Sequence, residues 1–179
     1  MKKLLVLAGG SQKNEAWGTA CAEFFQDDFD LTCFLHYDHW ETGEKNIDFA
    51  AEMEKVYATV EGTEEEGEWY VFAKSIGSIL ALKCVQEGII KPKKCVFFGM
   101  PFNVVNDTVF AGNWSLLANF KVPGLAFHND NDPTADYSFV TEKLNEYTQN
   151  VSVKTLSGDT HDYLNFTEYR EDIESFLFK

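Results

Sequence analysis

Basic residues are scarce in this sequence. The 179 residues include 15 Lys and Arg against 29 Asp and Glu, which gives a formal net charge of -14. A surface this acidic repels the phosphates of nucleic acids and anionic lipids, so we expect neither a nucleic acid nor a membrane as a partner.

Paired cysteine motifs are also absent. The four cysteines, at positions 21, 33, 84 and 95, lie far apart, and none forms a Cys-x-x-Cys pair. A chain of this length buries enough surface to fold without disulfides. We therefore interpret all four as buried, reduced thiols of a cytoplasmic protein.

Long apolar runs are missing as well. Residues 4–8 form a run of five that stops at Gly9 and Gly10, which is too short for the core of a secretory signal. No later run approaches the roughly 20 residues of a membrane span. We expect a soluble protein and interpret the first run as a buried strand.

Strand and helix patterns alternate along the whole chain. Short apolar runs predict strands at residues 4–8, 31–37, 69–73, 94–98, 122–128 and 151–156, and stripes at helical spacing lie between them. Such alternation predicts one α/β domain over residues 1–179, a three-layer sandwich with a mostly or fully parallel sheet of about six strands. Segment 103–121 predicts one short helix, and the Glu-rich segment 61–68 predicts an acidic surface turn.

Ser75 stands directly after the third predicted strand, in the run Ala73-Lys74-Ser75-Ile76-Gly77. A serine on a strained strand-to-helix turn projects its hydroxyl into a cleft, and small residues two positions before and after it prevent backbone collision. The run predicts such a nucleophile elbow. The alternative is a serine that only caps the following helix.

Acidic residues and a histidine follow the fifth and sixth predicted strands. Asp130 and Asp132 lie in the first of these segments and His161 in the second. The order Ser, Asp, His is the one that nucleophile-elbow enzymes use, with the histidine as base and a carboxylate that fixes its tautomer. Spacing from the strand favours Asp132 over Asp130.

The other titratable groups near these segments have simpler interpretations. Asp159 and Asp162 flank the histidine on its own loop, so we interpret them as solvated or turn-forming. His128 closes a strand, and we interpret it as structural.

On these motifs the chain resembles the α/β-hydrolase superfamily, in particular its small members without a cap. The resemblance runs from Leu4 to near the C-terminus and rests on LLVLAGG, AKSIG, HNDNDP and GDTHDY. It implies a serine hydrolase that forms an acyl-enzyme, with Ser75 as nucleophile, His161 as base and Asp132 as acid. A small carboxylic ester or thioester is the implied substrate, and no cofactor is implied. It also implies an open cleft and a sheet shortened from eight strands to six.

The resemblance further implies two backbone N–H groups that receive the oxyanion. One belongs to Ile76 and the other to Gly10, with Ser11 as the alternative. Ala8-Gly9 stands where the family often has His-Gly, and this leaves the choice between Gly10 and Ser11 open.

Segment 36–40 (His-Tyr-Asp-His-Trp) follows the second predicted strand and so opens on the same sheet edge as the serine. We interpret Tyr37 and Trp40 as apolar cleft wall and His39 as a polar contact. Its two histidines and aspartate match no zinc spacing, so we expect no metal site.

Ser11 and Lys74 complete the predicted cleft wall. Lys74 has two interpretations: a cation that attracts an acyl carboxylate or stabilises an oxyanion, or a lysine that points away to pair with a surface Glu.

Two rival functions belong to other classes. A binding protein that kept the fold and lost efficient turnover would explain the altered Ala8-Gly9 loop. A flavodoxin-like nucleotide binder would need Gly9-Gly10-Ser11 as its phosphate loop. A distance near 3 Å between the Ser75 hydroxyl and a His161 nitrogen favours the enzyme.

Overall fold

Six parallel strands form one sheet in the computed structural model, which describes residues 1–63 and 66–179. The strands are β1 (Lys2–Leu7), β2 (Leu31–Phe34), β3 (Glu68–Lys74), β4 (Lys94–Phe98), β5 (Gly124–Asn129) and β6 (Val151–Leu156). Their order is β2-β1-β3-β4-β5-β6, and every neighbouring pair is parallel. The predicted parallel sheet of about six strands is confirmed. Two glutamates of the predicted acidic turn, Glu64 and Glu65, lie outside the described residues.

Helices connect the strands. They are α1 (Asn14–Phe25), α2 (Asp38–Thr42), α3 (Phe49–Glu61), α4 (Ile76–Gln86), α5 (Phe102–Val105), α6 (Ser115–Ala118), α7 (Tyr137–Tyr147) and α8 (Arg170–Phe178). A π-helical turn (Asn106–Phe110) precedes α6, and a 3-10 turn (Phe166–Tyr169) precedes α8. Within residues 1–63 and 66–179, no helix combines the length and the apolar character that crossing a membrane requires.

The helices cover both faces of the sheet. Helix α4 packs against α3 and α6, and α7 contacts both α5 and α6. Elsewhere α8 meets the end of α1, where Arg170 pairs with Asp28 at 2.8 Å. Covered on both faces, the central strands are continuous apolar runs rather than alternating ones.

The buried core is rich in aromatic rings. Residues of β1, β3 and β4 with no exposed surface are Leu4, Leu5, Val6, Val71, Phe72, Ala73, Cys95, Val96, Phe97 and Phe98. All four cysteines are free, and Cys33 is half-buried where the sequence predicted burial. Burial raises the pKa of each thiol, which keeps these groups protonated and unreactive.

Strand order places the loops of interest together. Strands β1 and β3 are neighbours although β2 separates them in sequence, and Leu7 pairs in register with Ala73. The segments after these two strands therefore leave the sheet side by side, at the switch point where open α/β sheets bind ligands. Strands β5 and β6 pair up to Asn129 and Leu156, so their following loops also leave together.

Two segments differ from the predictions. The second strand ends at Phe34 rather than at residue 37, and residues 38–42 form α2. The buried carboxylate of Glu52 accepts a hydrogen bond from the Asp38 N–H at 2.7 Å, a contact between distant residues that no local pattern reveals. Segment 103–121 contains α6, the π-helical turn and most of α5 instead of one helix.

Candidate active site

Ser75 occupies a strained turn between β3 and α4. Its φ is 51° and its ψ is -125°, a conformation that side-chain-bearing residues rarely adopt. Its N–H donates to the Phe98 carbonyl at 2.9 Å, and its own carbonyl accepts from the Ser78 N–H at 2.9 Å. These bonds on both sides hold the strained residue in place. The conformation is that of a nucleophile elbow.

Gly77 allows α4 to begin against the end of β1. A Cβ at this position would lie 2.3 Å from the carbonyl oxygen of Leu7 and 2.6 Å from that of Ala8. Both are backbone atoms, so neither can move aside cheaply. The second small residue of the sequence motif is therefore a steric requirement.

Three distant side chains meet at this turn. The hydroxyl of Ser75 lies 2.8 Å from Nε2 of His161, and Nδ1 of His161 lies 2.7 Å from Oδ2 of Asp132. A carboxylate only accepts hydrogen bonds, so Nδ1 carries the proton and Nε2 accepts from the serine. The three residues lie in loops after β3, β5 and β6, as the sequence predicted.

Asp132 is buried and fully hydrogen-bonded. Its Oδ1 accepts from the N–H groups of Thr134 at 2.8 Å and Ala135 at 3.1 Å, and its Oδ2 accepts from the hydroxyl of Tyr163 at 2.7 Å. Burial alone would raise the pKa of Asp132, but the bonds from His161, Tyr163 and Thr134 hold it below its usual value. The group stays ionised, as a carboxylate that orients an imidazole must.

Tyr163 is a site residue that the sequence did not reveal. Its φ is 51°, and its carbonyl accepts a hydrogen bond from the Trp17 indole at 3.0 Å. Burial raises the pKa of its hydroxyl, so this group remains a donor. Gly99 makes room for it, because a Cβ there would lie 2.4 Å from the Tyr163 ring and 2.9 Å from His161. The only sequence signal is its place two residues after the histidine.

The rival acids and the second histidine lie in other environments. Asp130 is exposed and accepts from the Gly158 N–H at 3.1 Å, and Asp159 and Asp162 are exposed. Nε2 of His128 bonds the Ala135 carbonyl at 2.9 Å, and burial lowers the pKa of this histidine. Of the four aspartates considered, it is Asp132 that contacts His161.

Helix α2 holds the loop after β1. The carbonyl of Gly10 accepts from Nε2 of His39 at 2.5 Å and from the Trp40 indole at 2.8 Å. In a trans peptide the N–H of the next residue points opposite to the carbonyl, so these two bonds also fix the direction of the Ser11 N–H. Asn14 adds a bond from its amide to the Ser11 carbonyl at 3.0 Å.

Lys74 fits neither interpretation that the sequence offered. It is 3% exposed, donates to Oδ1 of Asn14 at 2.6 Å and lies over the Trp17 ring at 5.7 Å. It is not among the residues that line the cleft beside Ile76, and within residues 1–63 and 66–179 it forms no ion pair with a Glu. Burial lowers its pKa to about 8, against the opposing attraction of Asp162 and Asp132. Through Asn14 it links the nucleophile turn to the loop after β1.

Tyr37 also differs from its predicted place. It is buried, stacks on His39, and donates from its hydroxyl to the Ala8 carbonyl at 2.9 Å. It supports the cleft from behind instead of lining it. The wall itself includes His39, Trp40 and Ser11, as predicted.

An open cleft lies beside the nucleophile turn. Its volume is about 1060 Å³, and it begins at Ile76, Gly10 and Ser11. The remaining lining comes mainly from segment 39–49 and from α5 with the π-helical turn, including Trp40, Phe49, Val105 and Val109. The cleft therefore begins at Ile76, Gly10 and Ser11, the residues whose N–H groups we predicted as oxyanion donors.

The histidines of segment 36–40 do not form a ligand set with their aspartate. His36 is exposed with its Nδ1 3.4 Å from Glu15, and Asp38 pairs with Lys55 at 2.7 Å. Across the described part of the chain, no three His, Cys, Asp or Glu side chains cluster as metal ligands would.

Solved structures with the same architecture include α/β serine hydrolases. An α/β serine hydrolase homologue from Coxiella burnetii superposes with a TM-score of 0.75 at 18% identity, over 99% of this chain and 85% of that one. A serine hydrolase without a lid from Xanthomonas campestris gives 0.73 at 14% identity, over 98% and 80%. Est1E from Butyrivibrio proteoclasticus, with ferulic acid bound, gives 0.73 at 13% identity, over 100% and 90%.

At the level of sequence, no family model and no curated protein matches the chain. The likeness is therefore one of structure, and it establishes the fold. The chain has a shortened α/β-hydrolase fold, which is the fold that the resemblance of its motifs implied.

Proposed function

We propose that the protein is a serine hydrolase that cleaves a small carboxylic ester or thioester. The observation that carries the proposal is the relay of two hydrogen bonds, 2.8 Å from Ser75 to His161 and 2.7 Å from His161 to Asp132. A neutral serine is a weak nucleophile, and this relay supplies the base that it needs. The short first distance favours an enzyme over a binding protein that has lost turnover.

In the acylation step, the Ser75 oxygen attacks the acyl carbon while its proton moves to Nε2 of His161. Asp132 stabilises the imidazolium that results and keeps its Nδ1 proton in place. The tetrahedral intermediate collapses when His161 gives the proton to the leaving oxygen or sulfur. Ser75 then carries the acyl group as an ester.

Deacylation repeats the same steps with water. His161 removes a proton from the water as its oxygen attacks the acyl-enzyme, and then returns a proton to Ser75. The products are a carboxylic acid and the regenerated hydroxyl. A good leaving group needs little protonation help, which favours esters and thioesters over amides.

The oxyanion would be held by backbone donors. Ile76 is the first residue of α4, so its N–H is free of the helix's own hydrogen bonding. The second donor would come from Gly10 or Ser11, whose peptide is fixed by His39 and Trp40. Loss of one such donor typically costs about 100- to 1000-fold in rate.

A fluorophosphonate probe tests the nucleophile directly. It should label the wild-type protein at Ser75 and fail to label Ser75→Ala. Ser78→Ala is the matched control, because this neighbouring serine is buried in α4 and should leave labelling intact. A panel of short p-nitrophenyl esters and acyl thioesters then measures turnover. Equal labelling of wild type and Ser75→Ala would rule out the assignment.

A further inference from the structure

Lys83 lies on the same face of α4 as Ile76. The two residues are seven apart, which is two helical turns, and both line the cleft. Seven residues of helix rise by about 10 Å. The ammonium group therefore marks one end of the cleft, and the nucleophile turn marks the other.

The wall between these two ends is largely apolar. Its larger apolar residues are Trp40, Ile47, Phe49, Val105 and Val109, and polar residues such as Gln12, Asn46 and Thr108 also line the cleft. Apolar walls of this kind take up methylene groups, while a few polar groups fix the orientation of the ligand. The cleft can therefore bind a hydrocarbon chain along its apolar wall, with the ammonium group of Lys83 at the far end.

Lys83 has an aromatic neighbour and, among the described residues, no ion-pair partner. Its Nζ lies 5.2 Å from the centroid of the Phe49 ring. Among residues 1–63 and 66–179, no carboxylate lies within 4 Å of that nitrogen. In a chain of net charge -14, such a lysine at the end of an apolar path is available to an anion.

Other charged groups lie around this end of the cleft. Glu44 and Lys45 are exposed and line the same cleft, and their charges offset each other. Glu54 and Glu87 border smaller depressions that Lys83 also lines. The net charge on the cleft lining itself is therefore positive.

The cleft suits the acyl part of the substrate rather than its leaving group. His161 must give a proton to the leaving atom, so the leaving group lies on the histidine side of Ser75. The cleft begins instead at Ile76 and Gly10, the side of the oxyanion donors. An acyl chain that extends away from the histidine enters the cleft directly.

We infer that the substrate is an ester or thioester of a dicarboxylic acid, with its free carboxylate bound by Lys83. The inference rests on the proposed hydrolase function and specifies its substrate class. The free carboxylate would pair with the ammonium, and the methylenes would lie along the apolar wall. The helix rise of about 10 Å between Ile76 and Lys83 is comparable to the length of an extended chain of about eight carbons.

Two matched substrates test the inference. Mono-p-nitrophenyl suberate and p-nitrophenyl octanoate have the same chain length and leaving group, and only the first ends in a carboxylate. At pH 7.5 the wild-type protein should show the higher kcat/KM on suberate, by about fivefold. Lys83→Met and Lys83→Gln should each lose this preference, and Lys83→Arg should retain it.

The controls separate this inference from the proposed function. Lys121→Met removes one exposed positive charge outside the cleft, so it should keep the wild-type ratio. Fluorophosphonate labelling of each variant confirms an intact active site. If neither these two esters nor the short p-nitrophenyl esters and acyl thioesters are hydrolysed, the hydrolase proposal fails. If both are hydrolysed and the ratio is the same in wild type and the neutral variants, only the Lys83 inference fails.

Discussion

The hydroxyl of Tyr163 donates to Oδ2 of Asp132, the same oxygen that lies nearest to His161. The Asn129 N–H in turn donates to that hydroxyl at 3.1 Å, so the tyrosine bridges β5 and the histidine loop. One oxygen of a buried carboxylate thus serves both the imidazole and the residue that anchors its loop. The orientation of the base depends on a group outside the three-residue relay.

Tyr163→Phe should lower the free energy of unfolding by an amount that depends on pH. Loss of the donor moves the pKa of Asp132 back toward its usual value of 3.8 and leaves the Asn129 N–H unpaired. We expect a loss of about 1–3 kcal/mol in the free energy of unfolding.

The sign of the acid effect follows from the lowered pKa of Asp132. The stability that ionised Asp132 contributes is fully present at a pH above its unfolded-state pKa. It is lost as the pH falls through the lower pKa that Asp132 has in the folded protein. Melting curves between pH 7 and pH 3 should show the variant losing less stability over this range than wild type. Tyr57→Phe, at an exposed tyrosine, should follow wild type throughout.

Asp132→Asn should abolish most activity without unfolding the protein. An amide cannot hold the Nδ1 proton of His161, so the base takes the wrong tautomer, and kcat should fall by about 1000- to 10,000-fold. Asp130→Asn is the matched control, since this exposed residue contacts Gly158 and not the histidine. It should change kcat by less than about twofold. A large fall in kcat for Asp130→Asn, with little change for Asp132→Asn, would assign the acid role to Asp130 instead.

Lys74→Met should alter the pH dependence of stability in the alkaline range. Burial lowers the pKa of Lys74 from 10.5 to about 8, so the unfolded chain binds more protons than the folded one between these values. The wild-type free energy of unfolding should therefore rise across this interval by up to about 3 kcal/mol relative to the variant. Denaturant titrations at pH 7.5 and pH 10 measure the difference. Lys121→Met, at an exposed lysine, should run parallel to wild type.

Gly77→Ala should destabilise the fold severely. The new Cβ would lie 2.3 Å from a backbone oxygen of β1, and relief requires α4 to move. We expect a loss of more than about 3 kcal/mol in the free energy of unfolding. Gly88→Ala is a useful comparison, because its φ is 71° but, apart from its chain neighbours, none of the described residues comes within 4 Å of the added carbon. It should cost only about 1 kcal/mol, and equal melting temperatures for the two variants would contradict the steric role of Gly77.

Local sequence pattern was sufficient for the sheet and for the motifs at its edge. The central strands are buried on both faces, so their apolar runs stand out, and the motif around Ser75 has its own strand-turn-helix context. Spacing from the strand end also selected the aspartate that contacts His161. These features depend on residues close together in the chain.

The features that sequence missed depend on contacts between distant residues. Lys74 is buried because its ammonium group donates to Asn14 and lies over the ring of Trp17. These two residues are 60 and 57 positions earlier in the chain. Tyr163 matters through its bond to Asp132, and no periodic pattern marks it. Residues 38–42 form α2, and Glu52 accepts a hydrogen bond from the N–H of its first residue, Asp38. Single-sequence patterns carry no information on such pairs.

The connection between β4 and β5 is built from short helical turns, and it supplies Val105 and Val109 to the cleft. It contributes none of the three relay residues, and apart from Gly99, which makes room for Tyr163 and His161, we expect its exposed positions to tolerate changes without disturbing the relay. An insertion at the exposed Val104 would roof the cleft and narrow the range of acyl chains admitted. Changes in the connection between β4 and β5 can therefore alter the selectivity for the acyl chain, while the residues that cleave the bond lie elsewhere in the molecule.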